Sequence, residues 1–193
     1  KPSSAASDVY KRQVILVEQD AVLAPSLLRD RQDMDGLSAD AWSAAIAAEV
    51  RAAGGMVLTR TTASGLWDDN FVCLSQKLVE PGQVPANGFT QRYWHVRTDE
   101  VILATGTIER PMTFADNDRP GIMLSRAVRA YVNRFGVVPG QSVVIATTHD
   151  DAYATAKALR DAGARIVAIV DSRPAPAGQD SGFTVLNSAE PVR

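Results

Sequence analysis

Apolar and polar positions along the chain alternate between the rhythms of strands and helices. Val14-Ile15-Leu16-Val17 is a continuous apolar run with three β-branched residues, which predicts a buried parallel strand, and Glu18 follows it directly. Ser38 stands where it can cap a helix with apolar residues at Trp42, Ile46, Val50 and Ala53, and Gly54-Gly55 stops that helix. Met56 to Thr62 is the next strand candidate. Asp68-Asp69-Asn70 signals a turn between Trp67 and Phe71. Phe71–Leu74 and Arg92–Thr98 read as further strands, with a loop over Pro81–Gly88. Together they form a three-stranded antiparallel excursion.

The pattern then returns to buried strands. Glu100–Ala104 reads as one, ending in Thr105-Gly106. Ser125 can cap a helix with Leu124, Val128, Tyr131 and Phe135 on one stripe, closed by Gly136. After a Pro139-Gly140 turn, Val143–Ala146 is a strand. Asp150 can cap a helix carrying Ala152, Ala156 and Leu159, stopped by Gly163, and Ile166–Val170 is a strand followed by Asp171. Residues 140–171 are therefore one β-α-β unit, and the fold class is α/β. The expected organisation is residues 1–13 as a non-native or disordered start and 14–124 as a partial dinucleotide-binding domain with the antiparallel insertion. Residues 125–175 form a second, degenerate unit, and 176–193 an irregular tail.

Composition narrows the function. Of 193 residues 46% are apolar, and 20 Lys+Arg stand against 22 Asp+Glu. This net charge of −2 leaves no basic excess for a nucleic-acid backbone. No apolar run approaches the ~20 residues of a membrane helix. The single cysteine, Cys73, cannot close an intramolecular disulfide, and His95 and His149 are far apart, so no metal site is expected. The chain begins at Lys1, its first residues lack periodicity, and its tail carries Pro174, Pro176, Gly178 and Gly182. It reads as a cytoplasmic protein's fragment, cut at both ends.

Candidate chemistry lies at the strand ends. An acid at the end of a parallel strand suits a ribose diol, because a carboxylate accepts two hydrogen bonds; Glu18 has that place. Its bland alternative is a surface Glu. Ala104-Thr105-Gly106 ends a strand in small residues, which lets backbone approach a ligand. In the second unit the loop reads Thr147-Thr148-His149-Asp150-Asp151-Ala152 where a phosphate loop would carry glycines, and two carboxylates there repel pyrophosphate. Asp150 reads as a helix cap, and Asp171 as a strand end that echoes Glu18. His149 and Asp151 are a candidate acid/base pair. Cys73 and Trp42 read as core, and His95 as a strand residue facing away from it. Arg119, Arg126, Arg129 and Arg134 read as a solvated basic face or a subunit contact.

The order strand–Glu, helix, antiparallel excursion, strand–Ala-Thr-Gly resembles the Rossmann-like two-dinucleotide-domain flavoproteins of the glutathione-reductase type. A longer signature lies in Ala104-Thr105-Gly106-Thr107-Ile108-Glu109-Arg110-Pro111, Asn117-Asp118-Arg119-Pro120-Gly121-Ile122-Met123-Leu124 and Tyr131-Val132-Asn133-Arg134-Phe135-Gly136. With Pro139-Gly140 and Asp150-Asp151-Ala152-Tyr153, it resembles the alpha subunits of heterotetrameric sarcosine oxidases. Related chains occur in opine oxidases, hydrogen cyanide synthase and dye-linked proline dehydrogenases.

The resemblance implies a complex that oxidises sarcosine to glycine and makes peroxide, with the methyl carbon leaving as formaldehyde or passing to tetrahydrofolate. It implies NAD or FAD in the alpha subunit, FMN at the boundary with the beta subunit, tetrahydrofolate on a C-terminal domain, and beta, gamma and delta subunits as partners. Carried over residue by residue, the cofactor-binding set is Glu18, Gln19, Ala63, Ala104, Thr105 and Gly106, with no catalytic residue. Two features depart from the pattern. The upstream glycine loop for pyrophosphate is not in the chain, and Leu23-Ala24-Pro25-Ser26 stands where relatives carry paired glycines. A non-catalytic scaffold that docks a flavin subunit is the competing reading from another class.

Overall fold

In the computed structural model, residues 13–80, 82–85, 88–176 and 182–191 are described. The reading of residues 1–13 as non-native falls, except for Gln13, outside them. The elements in chain order are β1 (Ile15–Val17), α1 (Pro25–Asp30), α2 (Ala39–Ala52), β2 (Met56–Leu58), β3 (Thr61–Trp67), β4 (Phe71–Lys77) and β5 (Gln91–Arg97). They continue with α3 (Ser125–Phe135), β6 (Ser142–Thr147), α4 (Asp151–Asp161), β7 (Arg165–Asp171) and β8 (Val185–Asn187). The α/β class is as expected. The chain packs as two compact units, one of residues up to Pro25 with Gln32–Ala104, the other of Ser26–Arg31 with residues from Thr105 onward. The division thus precedes the boundary after Leu124 that the sequence suggests.

In the first unit β1 and β2 pair in parallel, Ile15 opposite Met56 and Val17 opposite Leu58. Helix α2 supplies the crossover. Ser38 accepts from the Ala41 amide at 3.4 Å, as an N-cap should. The helix stops where Gly54 takes a φ of 84°. A β-carbon on Gly55 would lie 2.9 Å from the Val50 carbonyl oxygen and 3.3 Å from that of Val14, so only glycine brings helix and strand this close. The strand expected over Met56–Thr62 is split. Arg60 has a φ of 53°, its amide bonds to the Asp20 carbonyl and that of Thr61 to the Glu18 carbonyl, so the chain leaves β2 and starts β3. Strands β3, β4 and β5 form the expected antiparallel sheet, with a bulge between Ala63 and Gly65.

Glu100–Ala104 is a correction. It joins no ladder, and Ile102 and Leu103 are 83% and 72% exposed. An apolar β-branched run makes a strand only where a neighbouring backbone offers its groups, and among the described residues β1 pairs with β2 alone.

In the second unit β6, β7 and β8 form a parallel sheet in that order. Val185–Asn187 therefore adds a strand within what reads as an irregular tail. The core joins α3, α4 and the sheet through Val132, Ile145, Ala156, Leu159 and Ile169. Neither expected helix cap acts as read. Leu124 holds the N-cap position of α3, and Ser125 is its first helical residue. Asp150 holds that of α4 but makes no side-chain capping bond; its carboxylate accepts from Arg173 at 2.7 Å.

Candidate functional site

Glu18 follows β1 directly, half-buried at the carboxyl end of a parallel strand. Its backbone extends the ladder, the amide donating to the Leu58 carbonyl at 2.9 Å and the carbonyl accepting from Thr61 at 2.9 Å. Its Oε1 accepts from the Asp20 amide at 2.9 Å, which fixes the carboxylate at the strand's mouth. Gln19 is exposed beside it. Ala63 is exposed on β3, opposite Leu74 at the bulge, two residues beyond the Thr61 that bonds to Glu18.

Ala104, Thr105 and Gly106 are exposed in an irregular segment, and Gly106 has a φ of 69° with open space around it. Just beyond, the second unit holds a cleft of about 170 Å³ lined by Thr107, Ile108, Glu109, Ser125, Arg126, Ala146, Thr147, His149, Asp151 and Ala152. It sits at the carboxyl end of β6, where α3 and α4 both begin. Open α/β sheets bind ligands at such ends, and helix N-termini attract anions.

Both N-termini are nonetheless capped from within. The Glu109 carboxylate accepts from the amides of Ser125 at 3.0 Å and Arg126 at 2.7 Å. The ring of His149 accepts from the Asp151 amide through Nδ1 at 3.1 Å. The structure joins His149 to the backbone of Asp151 rather than to its carboxylate. That carboxylate accepts from Arg129 at 2.9 Å and Arg126 at 3.3 Å. Partial burial pushes Asp151 up, but the bond from Arg129 and the charges of Arg129 and Arg126 outweigh it, and its carboxyl is held below the usual range.

The arginine stretch does not form one solvated face. Arg129 is 3% exposed and also reaches Asp30 of α1 at 2.7 Å. Arg126 spans Asp151 and the Thr107 hydroxyl, at 2.9 Å from the latter. Arg119 pairs with Asp116, and the Arg134 guanidinium lies over Phe135. Asp171 is fully buried and gripped by Arg173 and Tyr153. Cys73 lies half-buried on β4, and His95 is exposed on β5. Among the described residues no cluster of ligands suits a metal, and no helix is long and apolar enough to cross a membrane.

Glu109 is the residue that periodicity missed. It lies in an irregular segment, and its partners are backbone amides, which leave no mark in the sequence. Its signal was its place inside the Thr107-Ile108-Glu109-Arg110-Pro111 run. Tyr153 had the same kind of signal, its place in the Asp150-Asp151-Ala152-Tyr153 run, whereas Arg173 had none.

No protein-family model matches the chain. It is 42% identical over 170 residues to the sarcosine oxidase alpha subunit of Rhizobium meliloti (strain 1021), covering 87% of this chain and 17% of that protein. It is 42% identical over 166 residues to the protein of the same name from Corynebacterium sp. (strain P-1), covering 83% and 17%. The chain is a homologue of the sarcosine oxidase alpha subunit. It spans about 17% of the length of these curated relatives. An opine oxidase subunit of Agrobacterium tumefaciens (strain Ach5) is 33% identical over 81 residues, 42% of this chain and 16% of that one.

Among solved structures the L-proline dehydrogenase from P. horikoshii matches with a TM-score of 0.57 at 21% identity, covering 82% of this chain and 30% of that one. This likeness supports the mixed α/β fold. In the alpha-subunit homologue, Glu18, Gln19, Ala63 and Ala104 belong to the first unit, and Thr105 and Gly106 to the second.

Proposed function

We propose that this chain is the dinucleotide-holding part of the alpha subunit of a sarcosine-oxidase-type amine oxidoreductase, with the two-dinucleotide-domain topology of the glutathione-reductase type. The observation that carries this is identity of 39–42% to three sarcosine oxidase alpha subunits over 82–87% of the chain. The complex would oxidise sarcosine to glycine in the cytoplasm and reduce oxygen to peroxide. The methyl carbon would leave as formaldehyde or pass to tetrahydrofolate on a separate domain. Amine oxidation belongs to a flavin on the beta subunit, with FMN at the boundary and gamma and delta subunits completing the assembly.

This chain's own residues hold the dinucleotide, NAD or FAD. A half-buried carboxylate fixed at the end of a parallel strand fits a ribose diol, so Glu18 accepts from its two hydroxyls. Gln19 lies on the adenosine side. The backbone at Ala63 meets the adenine, and the Ala104-Thr105-Gly106 turn lies against the cofactor. The second unit does not fit a pyrophosphate. His149 already takes the Asp151 amide, and the acids Asp150 and Asp151 are internally paired. When bound, the dinucleotide supplies an adenosine and diphosphate that organise this domain.

Opine oxidation is the second reading, favoured by the 33% identity to the opine oxidase chain. The test replaces the matching segment of the Rhizobium meliloti alpha subunit with residues 14–175 and assembles the chimera with that enzyme's other subunits. Sarcosine-dependent peroxide and a co-purifying dinucleotide are expected. An assembled chimera that contains no dinucleotide would reject the reading.

A further inference from the structure

The segment between β5 and α3 has no regular structure, yet it carries the Thr105-Gly106 turn. The turn itself is exposed, and no atom beyond its chain neighbours lies within 4 Å of where a β-carbon on Gly106 would be. Its position is therefore set by what grips the chain beside it. Two side chains do so in opposite directions. Glu109 reaches forward and accepts from the amides of Ser125 and Arg126 at 3.0 and 2.7 Å. Arg126 reaches back and donates to the Thr107 hydroxyl at 2.9 Å. Its guanidinium is fixed in turn by Asp151 at 3.3 Å.

The carboxylate sits where the α3 dipole is positive and satisfies two amides that have no partner inside the helix. The resulting ring closes on Thr107, the residue after Gly106. We propose that Glu109 and Arg126 are positioning residues that hold the Thr105-Gly106 turn against the bound dinucleotide. This rests on the dinucleotide reading above and adds to it the device that presents the turn.

The test uses the full-length protein that carries this chain, assembled in its complex and stripped of nucleotide. NAD and FAD are the probes, titrated by calorimetry at a temperature where every variant is folded. Glu109→Gln keeps the size but offers only one acceptor to two amides. It is expected to weaken binding of whichever probe the wild type takes up about tenfold and to speed exchange at the Ser125 and Arg126 amides. Thr107→Val removes the hydroxyl bond from Arg126 at 2.9 Å, leaves the longer one to the Thr107 carbonyl at 3.5 Å and, with the helix cap intact, is expected to weaken binding about threefold. Tyr153→Phe lowers stability elsewhere in the same unit and is expected to leave affinity within about twofold.

Wild-type affinity in both Glu109→Gln and Thr107→Val overturns the proposal. So does an equal loss in Tyr153→Phe, which reduces the clamp to general stability. Should Glu109→Gln not fold, Thr107→Val decides alone. A wild-type complex that binds neither probe while its Ser125 and Arg126 amides stay protected overturns the dinucleotide reading, and the positioning role with it. Weakened binding in the variants of a binding-competent complex supports both.

Discussion

Arg173 grips Asp171 with two prongs, Nε 3.0 Å from Oδ1 and the terminal nitrogen 2.8 Å from Oδ2. The hydroxyl of Tyr153 donates to the same carboxylate at 3.0 Å. An acid that could otherwise face a ligand at the end of β7 is thereby spent inside the protein. The bond from Arg173 holds the Asp171 carboxyl below the usual carboxylate range, against the opposing pull of burial. Burial, with Asp171 as hydrogen-bond acceptor, pushes the Tyr153 phenol up to about 12. A depressed acid contributes stability above its unfolded pKa of ~3.9 and loses it as pH falls through the folded value. A raised phenol contributes below its unfolded pKa of ~10 and loses it as pH rises through about 12. Denaturation of Tyr153→Phe followed against pH is therefore expected to show a loss of ~1.5–3 kcal/mol at neutral pH. The difference from wild type should vanish at the alkaline end. A constant difference through pH 12 would contradict the assignment.

Arg129 carries a second prediction. Its guanidinium bridges Asp30 of α1 and Asp151 of α4, at 2.7 and 2.9 Å, and is 3% exposed. Breaking a buried pair costs ~3–5 kcal/mol. The two carboxylates are 28% and 31% exposed, so water relieves part of the loss. Arg129→Met is therefore expected to cost ~2–3 kcal/mol. Burial pushes Asp30 up, but Arg29 and Arg129 outweigh it, and its carboxyl too is held low. The wild-type advantage should accordingly persist above pH ~4 and fade below it. Chemical denaturation at pH 7 and pH 3 checks this, and equal costs at both would refute it.

What could be read in advance follows from the range of the forces. The helix over Trp42–Val50, its Ser38 cap and its Gly54-Gly55 stop are local, and all three were legible. So was the antiparallel excursion, because the Asp68-Asp69-Asn70 turn announces it. Glu100–Ala104 misled because strand formation depends on a partner that no local pattern contains. Val185–Asn187 was missed because three residues after a Pro/Gly-rich stretch carry too little periodicity. At the site, Glu18 was visible from its place after an apolar run. The fate of Arg129 was not, because Asp30 and Asp151 lie far along the chain, and that of Asp171 was not, because Arg173, although only two residues away, turns back onto it together with Tyr153. Ser125 has the residue type of a cap, while the capping carboxylate comes from Glu109, 16 residues earlier.

Gly65 offers a test of the excursion sheet. A β-carbon there would come within 2.0–2.6 Å of the Trp67 ring, which lies over the glycine. The indole is 53% exposed, so it can swing outward rather than force the backbone. Gly65→Ala is expected to cost only ~1 kcal/mol, at the low end for an added methyl group in a packed site. It should shift Trp67 emission to the red as the ring enters water. With Trp42 and Trp94 replaced by Phe, an unshifted spectrum would mean that the ring does not rest on Gly65.

Glu18 tests which dinucleotide the first unit accepts. A carboxylate fixed by the Asp20 amide accepts well from a 2′,3′-diol, but a 2′-phosphate would bring like charge against it. Two unit charges at ~4 Å repel by about 4 kcal/mol at an intermediate effective dielectric, whereas two charge-assisted bonds are each worth about 1.5–3 kcal/mol. Both terms favour NAD over NADP, so wild type in its complex should discriminate by at least ~100-fold. Glu18→Gln keeps the shape, weakens the diol bonds and removes the repulsion. NAD affinity is then expected to fall by about tenfold or more while NADP affinity rises, which narrows the preference from both sides. Parallel titrations with the two coenzymes distinguish this from simple damage to the site. If both affinities fall together, Glu18 supports the strand end and does not read the ribose.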